Sequence, residues 1–418
     1  MTFRKISIYW NSKLDNICTY FYEDGTRIRA FGDPEKFAAE IELQTGEPSV
    51  KVMRHLSKCR VLYDLTADIF LFNSLHRINT YLKWKVLKAV MLSYKLDALI
   101  TMHKRNSGRF QDPRVVQLFN RYATYNGSNP YDAPATLNVI GHLEHSMGAY
   151  FPVKGMRSLA TGLESLARKK GVRFQFESRV QRVIVEKNRA AAVNVNNEVI
   201  PFDLIVSDSD IHLFYQKLLP GLKPYKTNEN KLSSSALIFY WGIRGEFPSL
   251  GLHNILFSED YKAEFQHIFH DHIIYRDPTI YIFISSREVP SDAPKNAENW
   301  FVMINVPPDT GQDWEQLIAE ARHNIIHKIN RILDTSIEDL ISYEQVGSPK
   351  TIEKNTLSWK GALYGDHSNS RYSAFLRHSY KHNSVQNLYF VGGSVHPGGG
   401  IPLCLASATI VDQVIKPV

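Results

Sequence analysis

A glycine-rich run near the C-terminus has the residue types and the spacing to bind a cofactor. The segment 387–391 before it is apolar and predicts a short buried strand, and residues 403–415 predict a packed helix. Glycine lets backbone N–H groups approach a ligand without a Cβ, and the N-terminus of a helix carries a partial positive charge. The run can therefore receive an anionic or electron-rich ligand, although a tight strand-to-helix connection alone also uses glycine. Its candidate binding residues are Gly392, Gly393, Ser394, His396, Pro397, Gly398, Gly399, Gly400, Ile401 and Pro402.

Two groups of histidines are spaced closely enough to be considered as catalytic or metal-binding residues. His142, Glu144 and His145 lie on a predicted helix over 136–145, where they are candidates for handling a proton or are satisfied structural side chains. His267, His270 and His272 could suggest a metal, but on a helix only the first two share a face and no cysteine or carboxylate cluster supports them. We therefore predict no metal site. The hydrolase and phosphoryl-transfer motifs G-x-S-x-G, Walker A and H-E-x-x-H do not occur.

Composition limits the class of protein. The 418 residues exceed one ordinary core, and 44% hydrophobic with 22% charged residues is typical of a globular chain. The net charge of +7 comes without a dense Lys/Arg run, which argues against a nucleic-acid partner. Three scattered cysteines indicate a reducing compartment, and no apolar run approaches the ~20 residues of a spanning helix. The sequence predicts a cytoplasmic protein whose contact with a membrane, if it has one, is peripheral.

The order of the predicted elements indicates an α/β chain with interleaved domains. Strands are predicted at 5–9, 17–22 and 27–31, helices at 34–44 and 47–59, and strands again at 172–176, 180–187, 190–195, 198–201 and 204–206. The later strands at 234–243, 255–257, 279–284 and 300–306 follow one another without helices, which predicts an antiparallel sheet in a separate substrate domain. The chain then re-enters the cofactor domain, which residues 151–212 began, at residue 387. We expect four segments: 1–150, 151–212, 213–384 and 385–418.

The region 61–102 predicts long helices that combine apolar and aromatic residues with several lysines. Such a basic amphipathic helix can lie in a membrane interface, or it can be a core-facing helix with a solvated lysine face. The sequence by itself favours the second interpretation, and a lipid-soluble substrate would favour the first.

Residues 391–402, Val-Gly-Gly-Ser-Val-His-Pro-Gly-Gly-Gly-Ile-Pro, resemble the C-terminal signature of the bacterial phytoene-desaturase family, FAD-dependent carotenoid dehydrogenases. Residues 121–137 resemble the segment before the family's substrate-lining helix, most closely in the 1-hydroxycarotenoid 3,4-desaturase branch. Residues 152–156 are similar to the family's Pro-x-Gly-Gly-Met, with Lys154 in place of the first glycine. The resemblance extends from Tyr9 to Ile415.

The resemblance implies a glutathione-reductase-like FAD domain joined to a helical and antiparallel-sheet domain that binds a lipophilic carotenoid and contacts the membrane. Val180, Ser207 and Asp208 would meet the dinucleotide, and the glycine-rich run would form the flavin-ring pocket. A hydride would leave one substrate carbon for flavin N5, while a proton leaves the neighbouring carbon for water or for His142, Glu144 or His145. The 61–102 helices would be the entry from the bilayer. The electron acceptor is not specified by any motif.

The sequence departs from this family at its start. Family members begin with a βαβ unit that carries G-x-G-x-x-G, and no such motif stands near Met1. We therefore expect an N-terminally truncated FAD domain and a polypeptide that, expressed alone, is colourless and poorly soluble. Two alternatives to a desaturase remain: a flavin-dependent polyene isomerase or saturase, and a catalytically inert fragment that binds lipid or carotenoid.

Overall fold

A seven-stranded mixed sheet dominates the computed structural model, which describes residues 10–71, 73, 75, 96–221, 229–370 and 377–415. The described strands are β1 (Trp10–Lys13), β2 (Asn16–Phe21), β3 (Arg27–Phe31), β4 (Tyr150–Pro152), β5 (Val180–Glu186), β6 (Arg189–Val195), β7 (Glu198–Pro201), β8 (Ile205–Ser207), β9 (Ser235–Arg244), β10 (His253–Leu256), β11 (Ile280–Phe283), β12 (Ala297–Val306), β13 (Ile341–Gly347) and β14 (Leu388–Phe390). The large sheet has the order β13-β9-β12-β11-β10-β2-β3, and its pairs are antiparallel except β10 with β2.

Three smaller sheets complete the described strands. β5, β6 and β7 form an antiparallel sheet, β1 pairs with β4, and β8 pairs in parallel with β14 so that Phe390 lies opposite Ser207. The parallel pair joins segments that are far apart in the sequence. It brings the carboxyl ends of β8 and β14 to the same edge.

Helices begin where the sequence supplies caps. The side chain of Asp33 accepts hydrogen bonds from the N–H groups of Glu35 and Lys36, and Pro34 occupies the first helical position. The α-helices are Pro34–Thr45, Ser49–Phe70, Met102–Ser107, Pro113–Asn120, Val139–His142, Arg157–Lys169, Ile211–Leu213, Tyr261–Gln266, Trp314–Leu333, Ile337–Leu340, Pro349–Thr356 and Ile401–Asp412. No helix among the described residues combines the length and apolar character needed to cross a membrane.

The large sheet packs differently on its two faces. One face carries Trp241, Trp300 and many aliphatic side chains, and packs against the helix Trp314–Leu333. At the β2–β3 end, the other face packs against the helices Pro34–Thr45, Ser49–Phe70 and Pro113–Asn120. The rest of that second face is half buried on β11 and β12, and on β9 it is buried at Ala236 and Ile238 and exposed at Tyr240. This incompletely covered face is where the sheet can receive a ligand.

Several sequence predictions were wrong. Residues 172–176 alternate as a strand does, but in the structure they pair with no described strand, and Phe176 is 67% exposed. The predicted helix 136–145 is instead one turn of 3₁₀ helix at Ala135–Asn138, one α turn at Val139–His142 and a π turn at Leu143–Met147. The predicted helix 47–59 runs on to Phe70. Strand 5–9 and most of the helical region 61–102 lie outside the described residues, so the membrane-interface interpretation stays a prediction.

A buried histidine gives the fold a dependence on pH. His55 is 2% exposed, its ring packs beside Phe110 and Phe119, and its Nδ1 lies 3.0 Å from Arg109 Nη1. An arginine only donates, so Nδ1 accepts and the imidazole is neutral. Burial holds the pKa of His55 well below its usual value, and the nearby charge of Arg109 acts in the same direction.

We expect the folded protein to lose stability as the pH falls below about 6.5, because the unfolded chain then takes up a proton at His55 that the folded chain does not. The loss amounts to at most about 1.4 kcal/mol for each pH unit. The measurement is the free energy of unfolding by denaturant between pH 7.5 and 5.5. His55→Phe keeps a ring at the site and should flatten the curve, whereas the same change at the exposed His323 should not. An unchanged slope in His55→Phe would contradict this assignment.

Candidate functional site

The glycine-rich run lies at the carboxyl ends of the parallel strands β8 and β14. Val391 N–H donates to Ser207 O at 2.9 Å, and a Cβ on Gly392 would lie 3.2 Å from the carbonyl oxygen of Asp208. Ligands of α/β sheets bind outside the carboxyl ends of parallel strands. The structure therefore brings the predicted residues Ser207 and Asp208 together with the start of the run.

The other predicted dinucleotide residue, Val180, occupies a different position. It is the first residue of β5 and packs against the core cluster that contains Leu388, Phe390 and Val395. It thus supports the strand that leads into the glycine-rich run, and its direct role toward a ligand stays a prediction.

The run itself is held by backbone geometry. Gly392, Gly398 and Gly400 have φ values of 98°, 137° and 96°, a region that L side chains rarely adopt. The peptide bond between His396 and Pro397 is cis. Ser394 Oγ accepts a hydrogen bond from the N–H of Ile211 at 3.0 Å. The glycines at 398–400 leave bare backbone in a fixed conformation, which suits a flat ring.

The run ends at an exposed helix N-terminus. Gly400 precedes the helix Ile401–Asp412, no acidic residue stands in its first turn, and Ile401 is 55% exposed. The partial positive charge at this end is not neutralised by a carboxylate of the helix. It can stabilise negative charge on a ligand that lies against the run.

Tyr364 joins the run to the rest of the site. A Cβ on Gly399 would lie 2.6 Å from Tyr364 Cδ1, and a Cβ on Gly127 would lie 2.7 Å from Tyr364 Cδ2. The N–H of Tyr364 donates to Ser233 Oγ at 3.0 Å, two residues before β9 begins. One tyrosine therefore contacts the glycine run, the 121–127 segment and the approach to β9.

An aromatic row lies on the half-buried face of the large sheet. Its five members come from four neighbouring strands: Tyr240, Phe301, Tyr281, His253 and Phe283. Successive ring centroids from Tyr240 through Phe301 to Tyr281 are 5.5 Å and 6.1 Å apart, and His253 and Phe283 are 5.2 Å apart. Burial lowers the pKa of His253 to about 4, so its ring is neutral and hydrogen-bonds the hydroxyl of Tyr281 at 2.8 Å. The row offers an extended, uncharged surface.

The predicted proton-handling residues divide into two places. His142 packs against Tyr63 at a ring distance of 5.0 Å, away from the other two. Glu144 and His145 come together around Tyr122, whose hydroxyl lies 3.2 Å from Glu144 Oε1 and 2.9 Å from His145 Nε2. Both side chains are buried, and burial lowers the pKa of His145.

Sequence reasoning missed the partner of this pair, Arg121. It is 8% exposed, and its Nη2 lies 2.7 Å from the Tyr20 hydroxyl and 3.7 Å from Glu144 Oε2. The Tyr125 hydroxyl donates to Glu144 Oε2 at 3.0 Å. We call these five residues, Arg121, Glu144, Tyr20, Tyr122 and Tyr125, the Arg121 cluster. The signal in the sequence was a lone arginine set directly before tyrosines at positions 122 and 125.

The aromatic row was also missed. In β11 and β12 the even-numbered residues are buried, while Tyr281, Phe283, Phe301 and Met303 point to the other face. Aromatic side chains on the second face of a sheet strand were the available signal.

The histidines at 267–272 do not converge. His267 Nδ1 donates to the carbonyl oxygen of Ala263, while His270 lies 3.8 Å from Asp132. Within the described ranges, three or more histidine, cysteine or acidic residues are nowhere arranged to hold a metal ion.

Comparison with known proteins relates this geometry to a family. The sequence pattern described as flavin containing amine oxidoreductase matches residues 15–411. A 1-hydroxycarotenoid 3,4-desaturase of Flavobacterium sp. (strain P99-3) is 46% identical over 404 residues, which are 96% of this chain and 83% of that protein. A 4,4'-diaponeurosporene oxygenase of Staphylococcus aureus (strain MSSA476) is 27% identical over 425 residues, 99% of this chain and 82% of that protein.

A solved structure agrees on the fold. A redesigned putrescine oxidase superposes with a TM-score of 0.55 at 11% identity, covering 97% of this chain and 82% of the other. The predicted α/β fold class and the predicted resemblance to FAD-dependent carotenoid dehydrogenases are both confirmed. The glycine-rich run, the parallel strands that carry it and the matched 15–411 span thus have one explanation: the chain belongs to the flavin containing amine oxidoreductase family.

Proposed function

We propose that this protein is an FAD-dependent desaturase that acts on a hydroxylated carotenoid at the bond beside its hydroxylated end. The support for the reaction class is the 46% identity to a 1-hydroxycarotenoid 3,4-desaturase over nearly the whole chain. The structural observation that carries the proposal is the contact of Tyr364 with the glycine run on one edge and Gly127 on the other. This contact supports the proposal because Tyr364 links the glycine run to the segment that carries Arg121.

The glycine run fits a flavin ring. Gly399 packs on Tyr364, and a Cβ on Gly400 would meet nothing within 4 Å, so bare backbone borders open space where the ring can approach. In this proposal the run holds the ring, Asp208 and Ser207 close over the dinucleotide, and the exposed start of the helix at Ile401 faces the electron-rich edge. A bound flavin supplies the two-electron acceptor that protein side chains lack.

The aromatic row fits the hydrocarbon part of the substrate. From Ser235, near Tyr364, to Tyr240 in the row, β9 rises about 17 Å at ~3.3 Å per residue. A polyene is long, flat and rigid, so a row of rings along this face can hold it with little loss of conformational freedom. The neutral His253 adds a ring without adding charge.

Glu144 and His145 are our candidates for accepting the proton. A polyene delocalises the positive charge that develops as the hydride leaves, so a weak base suffices. The neutral ring of His145 has this capacity, and Tyr122 and Glu144 surround it. His142 lies apart against Tyr63, which leaves it the weakest of the three predicted candidates.

We further propose a division of the chain into a substrate domain, 1–150 with 213–384, and an FAD domain, 151–212 with 385–418. β8 with β14 and the sheet of β5–β7 then belong to the FAD domain, and the large sheet to the substrate domain. A carotenoid is insoluble in water, so delivery from a membrane surface through the 61–102 region follows from the substrate class.

We expect the purified protein, loaded with FAD, to convert a 1-hydroxylated carotenoid in lipid vesicles to a product that is two hydrogens lighter. One more conjugated double bond should shift its absorption to longer wavelength, and heat-denatured protein serves as the blank. Mass spectrometry and absorbance check the result. A product of equal mass indicates an isomerase, a heavier product a saturase, and binding without conversion an inert carotenoid-binding chain; each would overturn the proposal.

We expect Gly399→Ala to lose flavin, because the new Cβ would lie 2.6 Å from Tyr364 Cδ1 and 3.0 Å from Tyr364 Cα. Overpacking of this kind costs roughly 1–3 kcal/mol and displaces the run. The measurements are thermal unfolding and, after incubation with added FAD and removal of unbound flavin, the flavin released on heating, per mole of protein. Gly162→Ala is the matched control, since that glycine is helical with nothing within 4 Å, and the change should be neutral or stabilising. Equal flavin retention in both variants would count against the run as the ring site.

A further inference from the structure

The guanidinium of Arg121 lies in a cage of aromatic rings. Its central carbon is 5.2 Å from the Tyr20 ring, 5.3 Å from Tyr122 and 5.1 Å from Tyr125. The residue is 8% exposed. A buried charge of this kind is held by its surroundings and not by water.

The donors of Arg121 are incompletely used. A guanidinium has five N–H donors, and the one short bond here runs from Nη2 to the Tyr20 hydroxyl at 2.7 Å. The contacts of Nη1 and Nη2 with the Tyr125 hydroxyl are 3.5 Å and 3.4 Å long. Nε is buried, and no described residue bonds it. Leaving a buried donor unpaired is costly, so the cluster has capacity for an oxygen acceptor.

The cluster also has an acceptor of the opposite character. Glu144 lies 3.7 Å from Arg121 Nη2 and takes the Tyr125 hydroxyl at 3.0 Å. A carboxylate has about four lone-pair positions, more than these contacts fill. Arg121 as donor and Glu144 as acceptor together match an alcohol, which both accepts and donates a hydrogen bond.

One side chain separates the cluster from open space. The Tyr125 ring is 43% exposed, while its hydroxyl bonds inward to Glu144. Gly127, two residues later, contacts the Tyr364 ring whose other edge contacts Gly399 of the glycine run. Gly127 and the Tyr364 ring therefore connect the segment that carries the cluster to the glycine run.

We propose that Arg121, Glu144 and Tyr125 form the binding site for the hydroxyl of the substrate's end group. Arg121 and the Tyr125 hydroxyl donate to the oxygen of the substrate hydroxyl, whose own hydrogen points to Glu144 in place of the Tyr125 hydrogen. This rests on the proposed function. In a 1-hydroxylated chain the hydroxylated carbon is two bonds from carbon 3, so holding the hydroxyl here sets the 3,4 bond beside the glycine run. Arg121 and Tyr125 are thus determinants of specificity.

A hydrocarbon end group gives these groups nothing to bond. Sites built around a hydrogen bond discriminate strongly against a ligand that lacks the matching group, because their own buried polar atoms are then left unpaired. We expect the protein to bind the hydroxylated carotenoid at least tenfold more tightly than the same carotenoid without the hydroxyl.

The test compares dissociation constants for these two carotenoids, measured by the change in carotenoid absorbance on binding, in wild type, Arg121→Lys and Tyr125→Phe. Arg121→Lys keeps the buried charge but removes the Nε–H and the fork, and Tyr125→Phe removes one hydroxyl from a partly exposed ring. Both variants should reduce the preference for the hydroxylated ligand tenfold or more, with binding of the hydrocarbon nearly unchanged. Arg168→Lys, an exposed pair with Glu164, is the matched control and should keep the wild-type preference.

Equal binding of the two carotenoids by wild type overturns the inference, and so does an unchanged preference in both variants. Because binding is measured without turnover, the result is separate from the desaturase test. A preference that the variants abolish supports the site even where no double bond is introduced, and desaturation without a preference supports the function alone.

Discussion

The architecture of the site depends on the close contact between the glycine run and Tyr364. Gly399 on one edge of that ring and Gly127 on the other approach so closely that neither position can carry a side chain without a shift. A Cβ on Gly365, the next residue after Tyr364, would likewise lie 2.9 Å from Ser394 Cα. Residue 127, residues 364–365 and residues 394–399 are therefore held together by contacts that leave no space for a Cβ at the three glycines.

The two faces of the large sheet show how the same strands serve stability and function. In β12, Trp300, Val302, Ile304 and Val306 are buried against the helix Trp314–Leu333, and this packing holds the strand in register. The alternate residues, which include Phe301 and Met303, are half buried and do not pack against this helix. Since successive side chains of a strand point to opposite faces of the sheet, one strand can supply core residues to one face and different residues to the other.

Local signals in the sequence predicted where helices and strands form better than they predicted which strands pair with each other. Asp33 and Pro34 marked a helix start that the structure places at the same residues, because a cap is decided within four positions. The glycine run and its flanking strand and helix were also evident.

By contrast, the parallel pairing of β2 with β10 joins residues more than two hundred positions apart, and nothing local encodes it. Residues 172–176 have strand periodicity but no described partner, and periodicity without a partner does not make a sheet. The burial of Arg121 was missed because the Arg121 cluster joins side chains from three separate segments, at residue 20, at 121–125 and at residue 144.

The hydrogen bonds around His145 determine where a proton can be stored. Its Nδ1 lies 3.2 Å from the carbonyl oxygen of Phe31, which only accepts, so this nitrogen carries a hydrogen. The neutral ring, which burial favours by lowering the pKa of His145, then uses Nε2 to accept the Tyr122 hydroxyl hydrogen. Tyr122 has no second hydrogen for Glu144 Oε1 at 3.2 Å, so that contact pairs two acceptors. One added proton on Nε2 of His145 resolves it, with the Tyr122 hydroxyl hydrogen turned toward the carboxylate. Tyr122, Glu144 and His145 can therefore hold one more proton without any movement of heavy atoms. The positive charge of Arg121 lies nearby and repels such a proton. The carboxylate of Glu144 lies between Arg121 and His145 and offsets this repulsion.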